Sequence, residues 1–277
     1  MRKSPPLIVA LIALGATASY GQTSPAKPSA SESKAPAKIS DNSFLVEEAY
    51  NQEAGVVQHI ANVRRFPYGS FLFTFTQEWP APGQRHQVSY TAPVLGGGRA
   101  GTGIGDLVLN YRYQLLGRDE EKVWMAPRVS AILPTGSVAE GRGSGGPGVQ
   151  VNFPLSIEIS DALVTHWNAG ATLTRAQALN GVRENTRDLN AAASAIWLLS
   201  PTFNLMLEAS WERDESLDDV GVRSAEGRFV ILPGVRAAIN MPSGMQIVPG
   251  FGVPINVGTG AGQRDLFFYL SVEHRFK

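Results

Sequence analysis

Four histidines, His59, His86, His166 and His274, are the side chains best suited to hold a metal or move a proton. No two are spaced as ligands on one element, and HExxH or a comparable close pattern is missing, so the reading is no metal and no cofactor. A hydrolytic serine needs a histidine and an orienting polar group within hydrogen-bond reach. Ser89 lies three residues from His86, with Ser130 and Ser271 as further candidates. No short motif joins them to a base, so a lipase or esterase is the least supported reading. A chain without cysteine offers no thiol nucleophile, disulfide or thiolate-bound metal. Residues 96–105, GGGRAGTGIG, look superficially like a phosphate loop. No Lys-Ser or Lys-Thr closes that loop, and a strand-like segment follows where a helix is needed. Net charge is zero, which gives no reason to expect a nucleic-acid partner.

What remains chemically interesting is a set of charged and amide side chains at alternate positions of otherwise apolar segments. In residues 107–115, LVLNYRYQL, one face is Leu107, Leu109, Tyr111, Tyr113 and Leu115; the other is Val108, Asn110, Arg112 and Gln114. A strand sends alternate side chains to opposite faces, so the segment has one apolar and one polar wall. The same alternation sets Phe71, Phe73, Phe75 and Trp79 against Thr74, Thr76 and Glu78. It sets Phe203, Leu205, Leu207 and Trp211 against Asn204, Met206, Glu208 and Glu212. In the last segment Leu266, Phe268, Leu270, Val272 and Phe276 oppose Phe267, Tyr269, Ser271, Glu273 and Arg275.

Strands of this kind follow one another at about 55–64, 69–79, 84–92, 104–116, 122–133, 148–159, 162–174, 188–199, 203–213, 228–239, 245–256 and 264–276. Most have the length of a transmembrane β-strand, about nine to eleven residues, rather than the five or six usual in soluble sheets. Charged residues are 17% of the chain against 43% hydrophobic, a low share for a soluble surface, which carries about a quarter. The pattern predicts an all-β protein, an antiparallel transmembrane β-barrel of the bacterial outer membrane with about twelve strands. Trp79, Trp167, Trp197 and Trp211 fall on the outward face and Trp124 on the inward one. Pro127, Pro154, Pro233, Pro249 and Pro254 lie inside the proposed strands, where each removes a ladder donor and weakens its local assignment.

Residues 1–18 read as a secretory signal, with Arg2 and Lys3 before a short apolar run and an Ala16-x-Ala18 cleavage pattern. Residues 19–43 form a Pro-, Ala-, Ser- and Lys-rich leader, and 44–277 the barrel domain. Within the barrel domain, 44–54 is left open as a plug or a short periplasmic segment. Short turns alternate with the longer connections 93–103, 134–147, 175–187, 214–227 and 257–263, which places both termini in the periplasm. The register points Glu78, Asp106, Asn110, Arg112, Arg128, Glu208, Arg236 and Glu273 into the lumen, with Arg264 and Arg275 toward the rims. Such a mixed-charge interior either hydrates a narrow channel or ties it shut with ion pairs. Asp106, following Gly105, has the alternative role of capping a turn.

Residues 47–59 (EEAYNQEAGVVQH), 77–90 (QEWPAPGQRHQVSY) and 103–115 (GIGDLVLNYRYQL) carry a resemblance to a family of bacterial outer-membrane proteins named for the meta-pathway of phenol degradation. The Gly103–Gly105–Asp106 turn into Asn110–Tyr111–Arg112–Tyr113 is its most specific piece, and the likeness runs from about residue 44 to the C-terminus. Phe276 resembles the terminal aromatic of the barrel-assembly signal, although Lys277 follows it. The resemblance implies an outer-membrane channel or transporter passing small, aromatic or apolar solutes, with membrane lipid, the assembly machinery and the solute as partners. The alternative is a structural or adhesive surface barrel, meeting partners through the connections 134–147, 175–187 and 214–227.

Overall fold

The computed structural model describes residues 42–97, 101–117, 121–258 and 264–275. The signal segment, most of the leader, Phe276 and Lys277 lie outside the described residues. Twelve strands form one closed antiparallel barrel. In chain order they are β1 (Val56–Arg65), β2 (Phe71–Pro80), β3 (His86–Gly96) and β4 (Gly103–Ile104 continuing as Leu107–Tyr113). Next come β5 (Val123–Met125 and Arg128–Leu133), β6 (Gly148–Asn152 and Leu155–Ser160), β7 (Leu163–Gln177) and β8 (Arg183–Ser200). The last four are β9 (Phe203–Leu217), β10 (Arg223–Ala237), β11 (Gln246–Gly252 and Ile255–Val257) and β12 (Leu266–Arg275). Each strand pairs with its sequence neighbours, and β12 returns to β1 along Val56↔Arg275 to Arg65↔Leu266. Closure leaves no free sheet edge, the condition for burying a sheet in lipid.

The period-two pattern sorts side chains between the two faces of the wall. Leu109, Tyr111, Trp167, Trp197, Leu205, Leu207, Trp211, Phe268 and Leu270 are exposed on the outside. Their neighbours Asn110, Arg112, His166, Ile196, Met206, Glu208, Phe267 and Tyr269 are buried inside. Trp124 points inward and is buried. The architecture is that of an outer-membrane barrel, apolar without and largely polar within.

The prolines are accommodated in two ways. Pro127, Pro154 and Pro254 fall at the interruptions of β5, β6 and β11, while Pro233 and Pro249 stay inside strands. Proline loses its donor but keeps its acceptor. The carbonyls of Pro127, Pro154, Pro233 and Pro254 accept from the amides of Tyr113, Ala126, Val253 and Asp265 at 3.0–3.3 Å, so the wall stays bonded across them.

One expectation is corrected. The connections at 175–187 and 214–227 are mostly strand: β7, β8, β9 and β10 run on past the lipid-facing residues and meet in tight turns. The alternation there passes into charged and polar residues, which reads as loop but pairs as ladder. The turns sit at Gly181 and Gly221, with φ of 86° and 87°, values that favour glycine. Amide bonds from Ala178 to the Val182 carbonyl and from Asp218 to that of Val222 close them.

Candidate functional site

The residues directly before β1 do not leave the barrel. Residues 42–52 run through its interior, and each of them is buried there. The segment forms no strand; its backbone groups bond to side chains of the wall, which is how an irregular chain satisfies its amides away from water. The amides of Phe44, Leu45 and Val46 converge on the Glu208 carboxylate of β9, at 2.5, 2.7 and 3.2 Å. Further along, the Glu47 amide donates to Asn168 (2.8 Å), that of Ala49 to Ser156 (2.8 Å), and that of Gln52 to Gln87 (2.8 Å). In the reverse direction Gln114 donates to the Ala49 carbonyl (2.7 Å), Arg112 to that of Glu48 (2.8 Å), and Arg236 to that of Asn42.

Two side chains of the segment carry most of its chemistry. The Glu47 carboxylate lies between two arginines of the wall, 3.0 Å from Arg112 Nη1 and 2.9 Å from Arg128 Nε, and accepts from Asn152 at 2.7 Å. Glu47, Arg112 and Arg128 expose 1%, 2% and 4% of their surface, so the triad stands on its own hydrogen bonds rather than on water. The Phe44 ring packs on Phe267 and Tyr269, with centroids 5.1 and 5.5 Å away. It is seated over glycines: a Cβ on Gly234 would come within 2.4 Å of the ring, and one on Gly250 within 2.7 Å. Tyr50 meets Trp124 edge-on at 5.0 Å.

Of the residues expected in the lumen, Asn110, Arg112 and Arg128 form one polar cluster around Glu47, with Arg128 donating to Asn110 at 2.9 Å. Glu208 and Arg236 grip the other end of the segment. Glu78 is buried, and Glu273 accepts from Gln58 at 2.5 Å; both stand opposite Gln58 in the ladder. Asp106 lies apart. It accepts from the amides of Gly136 and Ser144, each at 2.8 Å, and so braces the connection 134–147. Arg264 and Arg275 are exposed.

The sequence does not single out Glu47, Tyr50 or Asn168, and it places Gln114 on the polar face of 107–115 without marking it as a lumen contact. The signal was there in two forms: inward arginines at Arg112 and Arg128 on neighbouring strands, opposite each other with Gln87 and Asn152 as their other ladder partners and no acid directly beside them, and an inward face of β11 that includes Gly250 and Gly252. A wall without side chains leaves room that something else must fill.

The end of the barrel at the β9–β10 turn carries a separate acidic cluster. Glu212 and Asp214 share Arg228, at 2.5 and 3.6 Å. Asp214 lies three residues past Trp211, toward the β9–β10 turn; burial first, then the neighbouring Glu212, pushes its carboxyl up to about 7.

The histidines are not all scattered. His59 and His274 stack on the outer face of the β1–β12 seam, Nε2 to Nε2 3.3 Å. His166 pairs with Ser156 at 2.7 Å, yet both are buried and the serine also accepts from the Ala49 amide. The pair holds the segment rather than facing a substrate. No group of three or more His, Cys, Asp or Glu suited to a metal occurs among the described residues.

No family model and no curated protein matches the chain. Among solved structures it is similar to an outer membrane channel from Pseudomonas putida F1, with a TM-score of 0.55 and 11% identity over 82% of this chain and 98% of that one. It is also similar to the NanC porin, at 0.51 and 9% over 80% and 99%. At such identities the likeness is one of fold.

Proposed function

We propose that the protein is an outer-membrane channel for small solutes whose passage is controlled by residues 42–52. The observation that carries this reading is the way the segment is held. A barrel built only as a wall or anchor would be filled by its own packed side chains. Here the filling is a separate run of chain, bound mainly by side chain–backbone hydrogen bonds and one ion-pair triad, polar bonds that water or a polar solute can replace one for one once the segment is displaced. The channel folds to which the chain is similar support the same direction. Both termini lie on the periplasmic side in this reading, membrane lipid surrounds the wall, and the assembly machinery inserts it. The resemblance to the phenol-degradation family supports aromatic or apolar solutes; Glu47, Arg112 and Arg128 would then act as the polar constriction that such a solute must pass.

The test is planar-bilayer conductance of the full chain against a variant lacking residues 42–52, both shown to be folded by heat-dependent gel mobility. The expected result is a low, flickering current for the full chain and a steady current at least several times larger for the deletion. A folded deletion variant that conducts no better than the full chain would sink the proposal.

A further inference from the structure

Beyond the lipid-facing band, the outer ends of β7, β8 and β9 sort their charges by face. Arg175 stands opposite Asn185, so Arg183 and Arg187 are its two diagonal neighbours on β8. Leu189 stands opposite Arg213, which makes Arg213 a diagonal neighbour of Arg187. By the same ladder these arginines share the outward face with Leu173, Leu189 and Trp211, all exposed. The acids of the same level, Asp188, Glu212 and Asp214, take the alternate positions and face inward.

Diagonal neighbours in an antiparallel sheet are about 7–8 Å apart, close enough for unscreened like charges to repel. Among the described residues Arg175, Arg183 and Arg187 form no ion pair. The nearest carboxylate, Glu215, pairs with Arg213 at 3.0 Å and accepts from the Arg187 backbone amide at 3.0 Å, while Glu184 is held by Arg223 at 2.7 Å. Two of the guanidinium groups are held by amides instead, Arg175 to Asn185 at 3.3 Å and Arg183 to Gln177 at 3.0 Å. That fixes their planes and leaves donors facing out. Guanidinium forks match phosphate in shape and charge. Arg175, Arg187 and Arg213 lie two residues past Leu173, Leu189 and Trp211, and Arg183, opposite Gln177, lies two residues farther out than Arg175, which is the depth of lipid headgroups.

We propose that Arg175, Arg183 and Arg187, with Arg213 at the edge, bind the phosphate groups of a phosphorylated glycolipid of the outer leaflet. The proposal rests on the orientation given above, with the β7–β8 and β9–β10 turns outside. The acyl chains lie along Leu173, Leu189 and Trp211, and the phosphates supply the negative charge that the face lacks.

Native mass spectrometry of the full protein in mild detergent, titrated with lipid A, tests it. The folded variant R175Q/R183Q/R187Q is the comparison, with heat-dependent gel mobility as the check on folding. Wild type should bind lipid A roughly a hundredfold more tightly than the variant. Lipid A stripped of both phosphates should bind wild type as weakly as lipid A binds the variant. Equal binding by wild type and variant, or by both lipids, would overturn the proposal. So would displacement of lipid A by an equal concentration of inorganic phosphate, which would assign the site to free anions. None of the three arginines lines the bore, so the variant's conductance should match wild type. The lipid proposal and the channel reading therefore fail separately.

Discussion

Glu47 is the residue on which the interior turns. Its carboxylate sits between two buried guanidinium groups, and the geometry works in both directions: the arginines need an acid, and the acid needs them. Removing one member of such a set leaves buried charge behind, at a cost of about 3–5 kcal/mol. Glu47→Gln should therefore lower the urea midpoint of the barrel in detergent and raise its conductance together. An unchanged midpoint would mean that the triad contributes little. Gly234 poses the opposite case, where adding an atom does the damage. A Cβ there meets the Phe44 ring at 2.4 Å. Gly234→Ala should destabilise the wild type by an amount that largely disappears in a Phe44→Ala background; a double-mutant cycle of unfolding midpoints reads this directly, and additive effects would show that the ring is not what the glycine accommodates.

At the scale of elements, the inner segment can be fastened in place. Ser43 and Ser194 bring their hydroxyl oxygens to 2.7 Å, and the chain has no native cysteine to interfere. A Ser43→Cys/Ser194→Cys variant should form a disulfide, conduct less than wild type when oxidised and regain the current on reduction. A current indifferent to reductant would show that the segment does not gate the path. The strands themselves were legible from alternation, since period two with lipid on one side leaves little freedom of register: Leu109 against Asn110 and Phe268 against Tyr269 fall as the pattern requires. The ends of β7 to β10 at their mutual turns were not. Residues such as Arg183, Glu184, Asp214 and Glu215 are polar on both faces once the wall leaves the lipid, so hydropathy no longer distinguishes ladder from loop. The interior segment was legible only as an open choice. Its partners come from strands between β3 and β12, and no local rule in the run EEAYNQE says which strands will supply them.

The whole molecule presents different groups to different surroundings: an apolar wall to lipid and, at the end that carries the β7–β8 and β9–β10 turns, arginines on the outward face and acids on the inward one. The mouth should respond to pH. The Asp214 carboxyl, raised to about 7, is neutral below that value and charged above it. The mouth thus gains negative charge as pH rises from 6 to 8. In the variant lacking residues 42–52, the reversal potential in a potassium chloride gradient should move toward potassium over that range, and Asp214→Asn should flatten the change. A shift that survives Asp214→Asn would place the titrating group elsewhere.

Only Glu53, Ala54 and Gly55 separate the end of the buried segment from β1. The segment is thus a ligand on a very short leash, and a leash sets a local concentration, of millimolar order for short links. A released segment returns to its seat before a dilute competitor finds it. A synthetic peptide of the same sequence, supplied to the deletion variant from solution, should need about millimolar amounts to restore the block. The same arithmetic applies to any solute in transit. On the proposed gating, affinity for the bore is not enough to open it at micromolar supply, which favours solutes that arrive in abundance or that touch the segment and the wall at once.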